Sequence, residues 1–255
     1  MVIISINNAY ICAIIFKNLI IEFINKNKKI WEIFMHSSVQ KLNLVKNKIN
    51  KIIDENKLEN LPEIIAVSKT FTLAEITPLL DCGHIHFGEN KIQEAEQKWK
   101  NVKNKYKNLK LHMVGKLQSN KAKKAVELFD YIHSLDNMKL ALKISQCEKE
   151  FNKKIKLFIQ VNLAEESQKS GIFLDNLNDF YNYCTKDLSL NIVGLMCIPP
   201  INSDSIKYFE LLKKTSSKFN LKDLSMGMSS DFEQAILNGS TFLRLGTVIF
   251  GERKN

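Results

Sequence analysis

The sequence predicts one (β/α)8 barrel, the TIM barrel architecture, preceded by an extra N-terminal helix. Eight short apolar runs alternate with helical stretches between residues 64 and 246. Continuous apolar runs are typical of parallel strands covered on both faces, and eight strand-helix units match a closed barrel. The chain also lacks a GxGxxG turn, an internal repeat and a low-complexity linker. These absences disfavour the main rival, a doubly wound open sheet, and a division into two domains.

The predicted strands are short and apolar, and turn residues separate them from the helices. They span residues 64–69, 84–88, 110–115, 131–135, 155–163, 190–198, 222–228 and 241–246. The predicted helices between them span residues 72–81, 91–107, 119–129, 137–151, 174–187, 204–218 and 231–238. A further helix is expected before the first strand, from the candidate caps Ser37 and Ser38 to about Lys57, because apolar residues recur there at helical spacing.

The first 34 residues differ from the rest of the chain. The stretch from Val2 to Phe16 is mostly apolar and is interrupted by Lys17, which makes it short for a transmembrane helix. It also lacks the basic start and the cleavage site of a signal peptide. Because an amphipathic helix begins just after Met35, we expect residues 1–34 to be an over-extended start and residues 35–255 to be the barrel domain. An organellar leader and a weak membrane anchor are the alternatives.

The composition indicates a soluble protein of a reducing compartment. Of the 255 residues, 45% are hydrophobic and 25% are charged, which is typical of a larger soluble domain with no membrane association of its own. The five cysteines form neither a CxxC pair nor a Cys/His cluster. We therefore expect no metal site, no disulfide framework and a cytoplasmic location.

The net charge of +10 comes almost entirely from lysine, since two of the 37 basic residues are arginines. Residues 91–124 alone contain 11 lysines against two glutamates. Such a basic segment could bind phosphates or nucleic acid. The near absence of arginine, the usual reader of bases, favours a solvated helix face instead, so the sequence predicts no firm nucleic-acid partner.

Lys69 is the first candidate for chemistry. It ends the apolar run that forms the first predicted strand, and the active sites of such barrels lie at the C-terminal ends of the strands. Burial lowers the pKa of an amine and frees it as a nucleophile, as a Schiff-base lysine requires. Lys69 therefore indicates an aldehyde cofactor that is held covalently. The alternative is a lysine that only marks where the strand meets solvent.

A candidate phosphate site follows the seventh and eighth predicted strands. Ser229 and Ser230 precede a helix that begins at Asp231, and Gly246 and Thr247 follow the last strand. Helix N-termini bind anions, and barrels of this type often bind phosphate in these two loops. The alternative is that the serines and the aspartate only cap the helix.

Arg244 lies inside the eighth predicted strand, where an arginine is costly unless it is paired or contacts a ligand. One interpretation is an ion pair with a barrel carboxylate such as Glu89. The other is a ligand contact. Because arginine only donates hydrogen bonds, it would keep a facing pyridine nitrogen unprotonated and so weaken the ring as an electron sink.

Together these residues form a pattern that resembles the pyridoxal phosphate homeostasis proteins (the YggS/PROSC family), relatives of the barrel domain of alanine racemase. The matching segments are AVSKT (66–70), HFGENKIQEAEQKW (86–99), LHMVGKLQSNKAK (111–123), IHSLDNMKLA (132–141), IQVNLAEESQKSGI (159–172), GLMCIPP (194–200) and LSMGMSSDFEQAILNGSTFLRLGTVIFGER (224–253). Lys91 and Lys116 depart from the commonest pattern of the family and are expected at the rim of the pocket. The resemblance covers residues 37 to 253.

The resemblance implies that the cofactor is pyridoxal 5′-phosphate and that Lys69 binds it covalently. Ser229, Gly246 and Thr247 would hold the phosphate, and Arg244 would face the pyridine nitrogen. The remaining pocket residues implied by the family are Asn90 and Met228.

The resemblance also implies a non-catalytic protein that buffers pyridoxal phosphate and delivers it, with apo-enzymes that use this cofactor as possible partners. The alternative is an amino-acid racemase or a related enzyme. Racemisation needs a base on each face of the substrate, and alanine racemase takes the second base, a tyrosine, from an additional β-domain of its partner subunit. Because the chain ends at Asn255, soon after the eighth predicted strand, we expect that domain to be missing and the protein to be a monomer.

Overall fold

The computed structural model describes residue 28 and residues 36–166, 168–201 and 203–252 of the chain. The expected N-terminal extension, residues 1–34, lies outside the described residues except for residue 28.

Eight parallel strands form a closed barrel in which each strand pairs with the next along the chain and the last pairs with the first. The strands are β1 (Glu63–Val67), β2 (His86–Glu89), β3 (Lys110–Met113), β4 (Tyr131–Leu135), β5 (Lys156–Gln160), β6 (Ile192–Met196), β7 (Asp223–Ser225) and β8 (Phe242–Leu245). The closing pair aligns Ile65 of β1 with Arg244 of β8. This confirms the predicted (β/α)8 barrel.

Helices cover the outside of the barrel. They are α1 (Ser37–Asn56), α2 (Leu73–Asp81), α3 (Ile92–Trp99), α4 (Ala122–Leu128), α5 (Met138–Phe151), α6 (Leu174–Asn182), α7 (Ser205–Lys218), α8 (Phe232–Leu237) and α9 (Thr247–Phe250). A turn of 3-10 helix, Ser119–Lys121, precedes α4, and a π-helical turn, Tyr183–Asp187, extends α6.

A predicted helix cap and a predicted helix end differ from the structure. Helix α1 is capped by His36, whose ring nitrogen accepts a hydrogen bond from the Ser38 backbone, so neither Ser37 nor Ser38 is the cap. Helix α3 ends at Trp99 although a helix was predicted to residue 107. The residues after Trp99 are rich in lysine and asparagine and form turns, and asparagine favours turns because its side chain competes for the backbone hydrogen bonds.

The main core lies between the barrel and its helices, where the Val39, Leu42, Val45 and Ile49 side chains of α1 are buried. Burying one such aliphatic side chain contributes about 1.5–3 kcal/mol. A second, smaller cluster fills the interior of the barrel and contains Ile65, Val67, Tyr131, Phe158, Met196 and Phe242. The rings of His86, His112 and His133 pack against this inner cluster.

In the part of the chain that the structure describes, no helix is both long and apolar enough to cross a bilayer. Within the same residues, no group of three or more histidine, cysteine, aspartate or glutamate side chains is arranged to hold a metal ion.

Candidate functional site

One cavity of about 660 Å³ lies at the C-terminal mouth of the barrel. All of the predicted site residues line it: Lys69, Asn90, Met228, Ser229, Arg244, Gly246 and Thr247. They come from β8 and from the loops that follow β1, β2, β7 and β8. The barrel therefore brings together side chains that are far apart in the sequence.

Lys69 is partly buried and lies in a tight turn directly after β1. The next residue, Thr70, has a φ of 69°, a conformation that side chains with a branched Cβ rarely adopt. Its backbone N–H donates to the Glu94 carboxylate of α3 at 2.6 Å. The following helix begins with a capping box between Thr72 and Glu75. The path of the chain on the C-terminal side of Lys69 is therefore fixed by hydrogen bonds.

A buried ion pair between Lys98 and Glu89 also stabilises the turn that carries Lys69. Lys98 of α3 donates to the Ser68 carbonyl oxygen and to the Glu89 carboxylate, both at 2.9 Å. Glu89 also accepts hydrogen bonds from the Ser68 hydroxyl at 2.7 Å and from the Trp99 indole at 2.9 Å. Because Glu89 points out of the barrel toward α3, it cannot pair with Arg244. The ion pair considered for these two residues is therefore wrong.

Asn90 and Gly115 form one wall of the cavity, and they are in close contact. The Oδ1 atom of Asn90 is buried and has no hydrogen-bond partner among the described residues. A buried polar atom without a partner is costly. Since Asn90 lines the cavity, a ligand donor there would satisfy this oxygen.

The predicted phosphate loops contact each other through one serine. The Ser229 hydroxyl accepts hydrogen bonds from the backbone N–H groups of Gly246 and Val248, both at 3.3 Å. Ser229 therefore connects the loop after β7 to the loop after β8 and does not cap α8. Asp231 is the N-cap residue of α8, but its carboxylate accepts from the Met228 backbone N–H at 2.7 Å.

Gly246 has room for a Cβ atom. A Cβ atom built on Gly246 would lie 3.5 Å from the Val67 carbonyl oxygen, an ordinary van der Waals distance. Protein packing therefore does not require a glycine at this position. The absence of a side chain leaves room for a ligand beside the backbone of this loop.

Arg244 is buried in the barrel, and its guanidinium forms two hydrogen bonds, to the Ser225 hydroxyl at 2.7 Å and to the Cys197 carbonyl oxygen at 2.8 Å. Among the described residues Arg244 forms no ion pair; burial lowers the pKa of its guanidinium, and the nearby Asp231 carboxylate partly opposes this shift. An arginine has five N–H donors, so its contacts leave donors for a ligand in the cavity.

The remaining lining residues were not predicted as site residues. Val67, Phe71, Val114 and Ile198 form apolar walls, and the Phe71 ring stacks on Phe250 with their centroids 4.7 Å apart. Gly115, Ser230 and Gly251 complete the lining. In a sequence, an apolar side chain at the end of a strand looks the same as a core residue. Only its position beside a predicted strand end could have indicated that it lines the cavity. Lys91 and Lys116, expected at the rim, are exposed and do not line the cavity.

Comparison with known families agrees with this geometry. Residues 43–254 match the model of the alanine racemase N-terminal domain. A pyridoxal phosphate homeostasis protein of Synechocystis is 38% identical over 199 residues, which cover 74% of this chain and 91% of the relative. The protein of the same name from Aquifex aeolicus is 35% identical over 228 residues, which cover 86% and 99%.

Solved structures show the same barrel. The PipY protein of Synechococcus elongatus, whose structure has PLP bound, is 34% identical to this chain with a TM-score of 0.70. The match covers 80% of this chain and all of PipY. The alanine racemase of Clostridium difficile has a TM-score of 0.63 at 11% identity, and this likeness shows the fold alone.

Proposed function

Because the chain belongs to the pyridoxal phosphate homeostasis protein family, we propose that it binds pyridoxal 5′-phosphate, buffers its concentration and delivers it, without catalysing a reaction of its own. The observation that carries this proposal is the cavity at the barrel mouth. The cavity holds a lysine that can bind an aldehyde and a buried arginine that can face a pyridine ring. Two loops with backbone donors can bind a phosphate.

Two features of the cavity fit this cofactor. The buried Oδ1 atom of Asn90 is without a partner among the described residues, and the hydroxyl group on the cofactor ring is a donor that could supply one. The space beside Gly246 would accommodate a phosphate between the loops after β7 and β8, which both line the cavity. Contacts within the described part of the protein account for neither the unpaired Asn90 oxygen nor the space beside Gly246.

Each predicted residue then has a role. The Lys69 amine would hold the aldehyde covalently as a Schiff base, on a turn fixed by Glu94 and Lys98. Ser229, Gly246 and Thr247 would bind the phosphate, and Met228 would contact the ring.

Arg244 limits what the bound cofactor can do. Pyridoxal phosphate supplies an electron sink, which is strongest when the pyridine nitrogen is protonated. The guanidinium only donates hydrogen bonds, and it does so here to the Ser225 hydroxyl and the Cys197 carbonyl oxygen. It would therefore favour an unprotonated nitrogen, which suits a protein that holds the cofactor more than an enzyme that forms carbanions.

The alternative function, amino-acid racemisation, needs a second base opposite Lys69. Among the described residues, no tyrosine lines the cavity. Tyr131 lies at the first position of β4, at the opposite end of the barrel from the mouth. These observations support the carrier over the racemase.

The proposal extends to partners, assembly and location. Recipients would be apo-enzymes that use pyridoxal phosphate. We also propose that the protein is a monomer, and sedimentation at micromolar concentration tests it. A cytoplasmic location is supported by Cys82, Cys147, Cys184 and Cys197, which are free thiols.

Binding of nucleic acid by residues 91–124 is not favoured. Lys98, Lys103, Lys123 and Lys124 of this segment form ion pairs within the chain, so part of its positive charge is already neutralised.

The central experiment replaces Lys69. The purified protein should show the visible absorbance band of a Schiff base, and borohydride reduction should fix the cofactor to Lys69 as detected by peptide mass. Lys69→Ala should lose both signals, whereas the control Lys116→Ala, on an exposed neighbouring loop, should keep them. An unchanged band in Lys69→Ala would refute the assignment. Rapid exchange of the alanine Cα proton in deuterium oxide would instead support the racemase.

A further inference from the structure

A row of hydrogen-bonded side chains runs through the interior of the barrel and ends at Arg244. The Arg244 guanidinium donates to the Ser225 hydroxyl at 2.7 Å, and this hydroxyl lies 2.8 Å from Nδ1 of His133. Nε2 of His133 lies 2.9 Å from Nδ1 of His112, and Nε2 of His112 lies 2.9 Å from Nδ1 of His86. We call Ser225, His133, His112 and His86 the barrel relay.

The relay continues to the opposite end of the barrel from the cavity. Nε2 of His86 lies 3.5 Å from the carboxylate of Glu63, the first residue of β1, whose side chain is largely exposed. Arg244, in contrast, lines the cavity at the mouth. The relay therefore joins a buried cation at the mouth to a carboxylate at the floor.

The two ends of the relay set the direction of its hydrogen bonds. Arg244 can only donate, so the Ser225 oxygen accepts from it. The single Ser225 proton is then donated to Nδ1 of His133, which lies within hydrogen-bond distance of the hydroxyl. Each neutral ring must carry its proton on Nε2 and donate to the next Nδ1. At the floor, His86 then presents its Nε2 proton to the Glu63 carboxylate.

The burial of the relay agrees with neutral rings. His112, His133 and Ser225 are fully buried, and His86 is 6% exposed. Burial lowers the pKa of His112 and His133 well below the ordinary value, and it lowers the pKa of His86 as well. Neutral imidazoles act as both donor and acceptor, as every relay position requires.

The direction of the relay also helps the protein to tolerate Arg244. Among the described residues no carboxylate forms an ion pair with this cation, and the nearby Asp231 carboxylate favours its charge through space. In the relay, the acceptor side of every group faces Arg244 and the donor side faces Glu63, so the aligned dipoles stabilise the positive charge. Hydrogen bonds in such a chain also polarise one another.

We propose that the barrel relay is a positioning device, which holds the Arg244 guanidinium in its orientation toward the cavity and stabilises its charge from the floor of the barrel. The proposal rests on the proposed function, because the group that Arg244 faces would be the pyridine ring of the cofactor. Ser225, His133, His112 and His86 then act through Arg244 and do not touch the cofactor themselves. The colour and the affinity of the bound cofactor should therefore depend on residues at the far end of the barrel.

The first test needs neither a variant nor the cofactor. Nitrogen-15 NMR of the apo protein at neutral pH should show His86, His112 and His133 as neutral rings protonated at Nε2, with Nδ1 unprotonated. A ring of His112 or His133 that is protonated at Nδ1 would break the direction of the relay and overturn the proposal. This result is independent of whether the protein binds pyridoxal phosphate.

The second test interrupts the relay. His112→Phe keeps an aromatic ring against Tyr131, which stacks on His112 at 4.3 Å, and removes both hydrogen bonds. The matched control Tyr131→Phe removes a hydroxyl from the same layer and leaves the relay intact. His112→Phe should shift the absorbance maximum of the bound cofactor and weaken its affinity about fivefold, since hydrogen bonds to charged groups are worth tenfold or more and this one acts indirectly.

A spectrum and an affinity equal to those of Tyr131→Phe would show that the relay does not position Arg244. If His112→Phe does not fold, His86→Phe at the floor gives the same comparison. Failure of the wild-type protein to bind pyridoxal phosphate would refute the proposed function, while the NMR result would still decide whether the relay exists.

Discussion

A Cβ atom on Gly115 would lie 2.5 Å from the carbonyl oxygen of Asn90 and 2.7 Å from its Cα atom. The loop after β3 therefore packs directly on the backbone of the loop after β2. The Gly115 carbonyl oxygen accepts a hydrogen bond from the buried Ser134 hydroxyl at 2.6 Å, so the loop cannot move outward without losing this bond. Asn90 takes its place in the cavity wall because Gly115 has no side chain.

Replacing Gly115 should reduce both stability and cofactor binding. In Gly115→Ala, the backbone of Asn90 must shift, and overpacking of this kind costs about 1–3 kcal/mol. Urea denaturation of the apo protein should show this loss in the free energy of unfolding, and equilibrium dialysis should show weaker binding of pyridoxal phosphate. An unchanged unfolding midpoint would mean that the contact is not restrictive.

Gly246→Ala is the matched comparison, because its new Cβ atom would meet only Val67 at ordinary distances. The free energy of unfolding of the apo protein should therefore change by less than about 0.5 kcal/mol, as for substitutions that disturb no packing. The methyl group would nevertheless occupy the space assigned to the phosphate. Cofactor affinity measured by fluorescence titration should fall at least tenfold, and undiminished affinity would contradict this placement.

Two substitutions that add no bulk to the cavity test whether the loops after β7 and β8 bind the phosphate. Thr247→Val removes an exposed hydroxyl at the cavity, and Ser229→Ala removes the acceptor for the Gly246 and Val248 N–H groups. Loss of the Thr247 hydrogen bond to the charged phosphate should weaken binding by about 1.5–3 kcal/mol. Ser229→Ala should also weaken binding, because the loops after β7 and β8 lose the hydrogen bonds that connect them. Binding of pyridoxal, which lacks the phosphate, is the control and should be nearly unaffected by Thr247→Val.

Lys98→Met should destabilise the protein strongly. The Lys98 side chain is 7% exposed and the Glu89 side chain is fully buried, so the substitution leaves a buried carboxylate unpaired. Breaking such a pair costs about 3–5 kcal/mol. The control Lys123→Met removes an exposed partner of Glu150 and should cost far less, because exposed ion pairs contribute little to stability. Urea denaturation compares the two, and equal losses would contradict a supporting role for Lys98.

Stability should fall as the pH drops below about 6.5, because the buried histidines resist protonation. Burial lowers the pKa of His84 from 6.5 to about 3, and those of His112 and His133 fall in the same direction. Between those pH values the unfolded chain binds protons that the folded protein does not, so the free energy of unfolding decreases by up to about 1.4 kcal/mol per pH unit for each histidine. Above pH 6.5 this contribution is fully present.

The variant His84→Gln isolates one of these contributions. His84 contacts the His86 carbonyl oxygen at 2.9 Å and lies outside the barrel relay. Urea denaturation between pH 7.5 and pH 5 should give a shallower pH dependence for His84→Gln than for the wild type. Identical slopes would show that His84 does not titrate differently in the two states.

The chemistry at the strand ends could be predicted because polar and glycine residues interrupt apolar runs at the barrel mouth. Lys69 and Arg244 were identified in this way, and each lies in the wall of the cavity. The partners of Arg244 could not be predicted. Whether Glu89 faces the barrel interior or α3 depends on the register of β2, and a shift of one residue would reverse it.

The histidines were also missed, since a histidine in a short apolar strand has no distinctive spacing. His112 and His133 are 21 residues apart, and His133 and Ser225 are 92 residues apart. Pairing of β3 with β4 brings the two histidines together, and closure of the barrel brings Ser225 of β7 to His133 of β4.

The sequence by itself therefore determined the barrel and the residues at its mouth, because both depend on local patterns of apolar and polar residues along the chain. Tertiary structure alone decided that Gly115 fits against Asn90, that Glu89 pairs with Lys98 and that three histidines connect Arg244 to the floor. These contacts join separate strands and helices, and their geometry is set by how the eight strands align when the sheet closes.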